Sequence, residues 1–193
     1  MANNVSNYLK IIGTDEVIAE MDKRFENAGG YNDVLKFSQA FYDNVETDES
    51  GNAVMYSWTL DNLGAKWVYV ENQINDGEWN IQSANHCPQE FFVHLYKLAV
   101  QIDPEVQIEV KFHDESYEPV GGFVAKKDYQ GKPAWSMEED YDIENPTDDM
   151  DWDDEGYDDA QMKFQEDLED MMTDLCNTAH DNVWSIEGNP IEL

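Results

Sequence analysis

Pro88-Gln-Glu-Phe-Phe-Val-His-Leu-Tyr-Lys-Leu-Ala-Val-Gln-Ile-Asp-Pro104-Glu-Val-Gln-Ile-Glu-Val-Lys-Phe112 changes its hydrophobic period once. Up to Ala99, the apolar residues Phe91, Phe92, Leu95, Leu98 and Ala99 recur at helical spacing, and Pro88 suits a first helical turn. Pro104 closes that helix. Beyond it Val106, Ile108, Val110 and Phe112 alternate with polar residues, the period-two pattern of a strand with one buried face. A helix feeding a half-buried strand predicts an α+β protein.

Upstream, Asn75-Asp76-Gly77 is a turn between the apolar, aromatic run Trp67–Val70 and a strand at Glu78–Ser83. Val54–Leu60 alternates in strand fashion. Val34, Phe37, Ala40 and Phe41 permit a short helix within an insertion at about 31–53, followed by a polar loop from Glu46 to Asn52. Thr14 is an N-cap for a helix carrying Val17, Ile18, Met21 and Phe25, which Gly29-Gly30 ends. Val5–Ile12 reads as the first strand. Downstream, Phe123–Tyr129 and Pro133–Met137 form a hairpin around Gln130-Gly131. The order β-α-(insert)-β-β-α-β is that of a ferredoxin-like split β-α-β sandwich, expected over residues 1–137. The two cysteines, Cys87 and Cys176, are too few for an iron–sulfur cluster, and their spacing is no disulfide framework.

Charge divides the chain. It carries 43 acids against 11 bases, a net charge of −32, and its single arginine is Arg24. Residues 138–193 hold 21 of the acids and one base, Lys163, so 20 of the 32 net charges lie in this extension. Glu138–Asp159 reads as an acidic linker. A helix follows at about 158–180, with Phe164, Leu168, Met171, Leu175 and Ala179 as its apolar stripe. With 41% hydrophobic and 12% aromatic residues the chain can still bury a core.

Such a charge repels nucleic-acid phosphates and anionic membranes, so neither is an expected partner. The first residues lack the features of a signal peptide. The longest apolar run, Phe91–Val100, is too short to span a bilayer and contains His94 and Lys97. A cytoplasmic protein with reduced thiols is expected.

Four segments resemble one family. They are Met1-Ala-Asn-Asn-Val-Ser-Asn-Tyr-Leu9, Asp61-Asn-Leu-Gly-Ala-Lys-Trp67, Ala84-Asn-His-Cys-Pro88, and Asp114–Gly122 followed by Phe123. In this order they resemble the YubB-type ferredoxin-like domain of plasmid and bacteriophage proteins, over about residues 1–125. Leu63 and Ala65 depart from the family's pattern. The resemblance implies a mobile-element protein acting in a host bacterial cytoplasm and supplies no catalytic residues.

No motif carries chemistry, so no catalytic residue, metal or cofactor is expected. His86-Cys87 is one adjacent pair, and Cys176 and His180 lie four apart on one helix face, but a structural zinc site wants four ligands. Structural roles are expected for both pairs. If the chain were an enzyme, His86, Cys87 and His113 would be the first residues to change. Neither register of Asp149–Gly156 gives an EF-hand. Starting at Asp149 puts Asp154 at position six, and starting at Asp151 puts Met162 at position twelve. Gly121–Lys127 has a faint likeness to an RNA-binding strand, for which solvated lysines on an edge hairpin is the plainer reading. Phosphate-binding and nucleophile-elbow motifs are absent.

The acidic extension remains as the candidate surface. Its residues are Asp149, Asp151, Trp152, Asp153, Asp154, Glu155, Asp158, Asp159, Glu166, Asp167, Glu169, Asp170 and Asp174. Carboxylates three and four apart on a helix form an array on the scale of backbone phosphates. The expected partner is a basic host protein, of the nucleic-acid-binding or defence type, masked by a mimic of nucleic acid. Two alternatives stand beside this. The extension can be a solvating tail suited to a salty habitat, or the protein can be an adaptor that binds through its sheet.

Overall fold

The computed structural model describes residues 3–31, 33–141, 143, 145–147, 150–151, 156–185 and 187–193. Among them are seven strands and five helices: β1 Asn4–Ile12, α1 Asp15–Asn27, α2 Val34–Phe41, α3 Tyr56–Leu63, β2 Val68–Asn75, β3 Glu78–Ala84, α4 Gln89–Ala99, β4 Gln107–Asp114, β5 Val120–Lys127, β6 Pro133–Asp140, α5 Tyr157–Trp184 and β7 Asn189–Pro190. The fold is α+β. All strands join one antiparallel sheet in the order β2-β3-β1-β4-β5-β6-β7.

Strand alternation gives the sheet two faces. Leu9, Ile81, Val110 and Phe123 point to one face and meet Val17, Met21 and Phe25 of α1, Phe37 of α2, Leu63 of α3 and Phe91, Phe92 and Leu95 of α4 in the main core. The other face is covered by α5, which packs on β5 and β6 and flanks β4. Two smaller clusters hold it there. One joins Val120, Ile143, Phe164, Leu168 and Met172. The other joins Val124, Cys176 and Ala179. The molecule is thus three layers deep over β4–β6 and two deep over β1–β3. Among the described residues no helix is long and apolar enough to cross a membrane.

Several expectations change. Val54–Leu60 is not a strand. Val54 makes only an isolated bridge with Thr47, and Tyr56–Leu63 is α3. Seven residues of alternation are too few to exclude a helix. Here Gly64 ends the helix in the left-handed conformation at φ 74°, and Trp58, Thr59 and Leu63 share its buried side. The segment between α1 and β2 therefore holds two helices, α2 and α3, with the polar loop between them, where one helix, the loop and a strand were expected. The hairpin strands are longer than expected: β5 begins at Val120, and β6 runs to Asp140, across the boundary expected at 137. Lys126 and Lys127 are not solvated edge residues. β5 lies inside the sheet, Lys126 faces His180 of α5, and Lys127 pairs with Glu105.

The stripe of α5 also shifts. Its buried residues are Phe164, Leu168, Met172, Cys176, Ala179 and Val183, with Met171 and Leu175 only partly buried. Both stripes satisfy helical spacing, so the sheet beneath decides which side turns inward.

Candidate functional site

The approach of α5 is set by Gly122. On β5, Val120, Gly122 and Val124 face α5, while Gly121, Phe123 and Ala125 face the main core. A Cβ at position 122 would lie 2.5 Å from Cys176 Cα and 2.9 Å from its Cβ. Only a residue without a side chain lets the helix backbone come this close.

Polar contacts then fix the helix along its length. Gln165 Nε2 donates to the Tyr117 hydroxyl at 3.2 Å, and Lys111 Nζ to Glu169 Oε1 at 2.7 Å. Asn182 Nδ2 donates to Glu138 Oε1 at 2.6 Å. Beneath the helix, Lys126 Nζ lies 2.7 Å from His180 Nδ1, and His180 Nε2 lies 2.7 Å from Glu109 Oε1. An ammonium only donates, so Nδ1 accepts from Lys126 and Nε2–H donates to Glu109. The hydrogen bond from His180 holds the Glu109 carboxyl below its usual range despite burial. Burial lowers the Lys126 ammonium and pushes the Cys176 thiol up to about 12.

The outer side of α5 carries the expected acids. Asp158, Asp159, Glu166, Asp167, Glu169, Asp170 and Asp174 are all exposed, as is Asp151. Asp149, Trp152, Asp153, Asp154 and Glu155 lie outside the described residues. At about 1.5 Å per residue, Asp158 to Asp174 spans about 24 Å. Seven acids and Lys163 there leave roughly one net negative charge per 4 Å, against about 3.4 Å per phosphate along one strand of B-DNA. Glu169 is partly neutralised by Lys111, so Glu166, Asp167, Asp170 and Asp174 carry most of the outward field.

Beside α5, a groove of about 410 Å³ opens over β1 and β4, lined among others by Tyr8, Lys10, Glu78, Glu109, Lys111 and Glu169. Its charges are internally paired, Lys10 with Glu78 at 3.3 Å and Lys111 with Glu169 at 2.7 Å. It therefore attracts a charged ligand weakly.

The histidines and cysteines fall in different places. Cys87 is buried in the main core, its thiol pushed well up by burial, while His86 is exposed at the entrance of α4. His113 is on the opposite face of the sheet, stacked on Tyr117 at 5.3 Å. Those three do not converge on one centre. Cys87 and Cys176 are both free and occupy opposite faces of the sheet. Cys176 and His180 do meet a third group, Glu109, which sequence reasoning missed. It is one more polar residue in an alternating strand, 71 positions from His180, and no local pattern marks it. No family model matches this chain, and neither a curated protein nor a solved structure does.

Proposed function

We propose that the chain is a non-enzymatic binding protein that uses the outer face of α5 as a rigid, nucleic-acid-like array of carboxylates against a basic host protein. The observation that carries this is the docking of α5. Phe164, Leu168, Met172, Cys176, Ala179 and Val183 are buried against the sheet, so the acids on the other side stand at fixed spacing rather than on a loose tail. A preorganised array loses less entropy on binding than a flexible one and steers association with a basic groove. The order β2-β3-β1-β4, with α1 and α4 on one face, supports reading the first four strands as a ferredoxin-like unit, on which β5–β7 and α5 are an addition. A mobile-element origin rests on the four sequence segments alone.

The test is capture from bacterial lysate on the intact chain, with duplex DNA as competitor. A single stoichiometric basic protein should be retained and released both by DNA and by rising salt. The combined variant Glu166→Lys, Asp167→Lys, Asp170→Lys and Asp174→Lys should fold normally and lose it. Equal capture by that variant refutes the proposal. One observation favours the adaptor reading instead: α5 leaves the same face of β1 open, where Tyr8 is 36% exposed. Capture that survives charge reversal but is lost in Tyr8→Ala would point there.

A further inference from the structure

Beneath α5, three metal-ligating groups of different chemistry converge. One ligand atom each from Glu109 on β4 and from Cys176 and His180 on α5 lie within 4.8 Å of one another. The two α5 residues are four apart, so they project from one face, and the contact with Gly122 holds that face against the sheet. Cys176 is buried, whereas the Glu109 and His180 side chains keep 27% and 22% exposure, which leaves a path from solvent.

We propose that Glu109, Cys176 and His180 form a three-ligand site for a zinc-class divalent transition metal, with a fourth position open to water. The ligand set selects the ion. A thiolate and an imidazole disfavour magnesium and calcium, which take oxygen ligands, and suit Zn²⁺ or Co²⁺. Bond lengths of about 2.0–2.3 Å place tetrahedral ligand atoms roughly 3.3–3.7 Å apart. His180 Nε2 and Glu109 Oε1, now 2.7 Å apart, need to part by about 0.6–1 Å. Cys176 Sγ, within 4.8 Å of the other ligand atoms, needs to close on them by at most about 1–1.5 Å, and both movements are within reach of side-chain rotation.

The hydrogen bond from His180 Nε2 to Glu109 is the link a metal would replace. The ion takes Nε2 and a Glu109 oxygen, and the protons of Nε2 and of the Cys176 thiol leave to solvent. Nδ1 then carries the remaining imidazole proton, received from Lys126. Two protons leave for one divalent ion, so the charge of the site is conserved. Lys126 is the group that opposes the ion. It sits 2.7 Å from Nδ1, and having given up its proton it must stand there as a neutral amine, so the ion binds only at the cost of discharging this ammonium.

The acid-rich surface will bind any divalent ion weakly, so the readout must report sulfur. Co²⁺ is titrated into the intact reduced protein in excess Mg²⁺, following the thiolate-to-cobalt charge-transfer band in the near ultraviolet. A band saturating at one equivalent is expected, together with tetrahedral visible absorption. Cys176→Ser and His180→Gln should lose both features while retaining the parent circular dichroism. Cys87→Ser should keep them, and Lys126→Met should tighten binding several-fold. The proposal is overturned if the folded parent shows no band at saturating Co²⁺. A band that persists in Cys176→Ser also overturns it.

Discussion

Gly122→Ala tests the account of how α5 is held. The new methyl carbon would sit 2.5 Å from Cys176 Cα and also against its backbone N, where ordinary carbon contacts need about 3.5–4.0 Å. Both neighbours are backbone, so no side chain can swing aside, and the helix must retreat by about 1 Å. Overpacking of this kind costs about 3 kcal/mol, the upper part of its usual range. Alanine also restricts the unfolded chain, which returns about 0.4–1 kcal/mol. The net loss is about 2 kcal/mol, and for a chain of this size that lowers Tm by roughly 4–8 °C. Thermal unfolding followed by far-ultraviolet circular dichroism measures it. Alkylation adds a local readout, because a lifted helix exposes Cys176, while Cys87 stays protected until the main core unfolds. Gly30→Ala is the control, since a Cβ there meets nothing within 4 Å. An unfolding midpoint for Gly122→Ala within about 1 °C of the parent, with Cys176 labelling unchanged, would refute the close approach and the layer built on it.

Two further outcomes test the register of α5 and a tie between loops. Met172→Ala should cost about 2–3 kcal/mol because Met172 is 3% exposed, whereas Met171→Ala should cost less than half as much; equal losses in chemical denaturation would show that the helix face is wrongly assigned. Asp103 accepts from the backbone N–H of Glu105 at 2.9 Å and of Thr14 at 2.8 Å, and these bonds hold its carboxyl below the usual range. A depressed folded pKa means that the stability it contributes is present above the unfolded value of about 3.9 and is lost as pH falls through the folded one. Asp103→Asn should therefore lower Tm by a few degrees near neutral pH, and the gap to the parent should close below about pH 4. A gap independent of pH would refute the assignment.

Much of the fold was legible because it rests on local periodicity. The period change between α4 and β4, the Asn75–Gly77 turn and the apolar stripe of α1 each depend on neighbours a few residues apart. Where the local signal is short or degenerate, reading failed. Val54–Leu60 alternates over too few residues to separate a strand from the helix that Tyr56–Leu63 forms. In α5, Met171 and Met172, and Leu175 and Cys176, offer two stripes with the same spacing.

The amino-acid sequence alone determined the α+β class, the order of most elements and the concentration of acid in the last 56 residues, because composition and period are properties of the chain. Only the tertiary structure decided that the acidic helix covers β4–β6, and that Lys126 and Glu109 turn toward it. It alone brought Glu109 to Cys176 and His180. The reason is that these contacts depend on strand register and on which face each strand presents. Two strands separated by a helix acquire that register only when the sheet closes around a shared core.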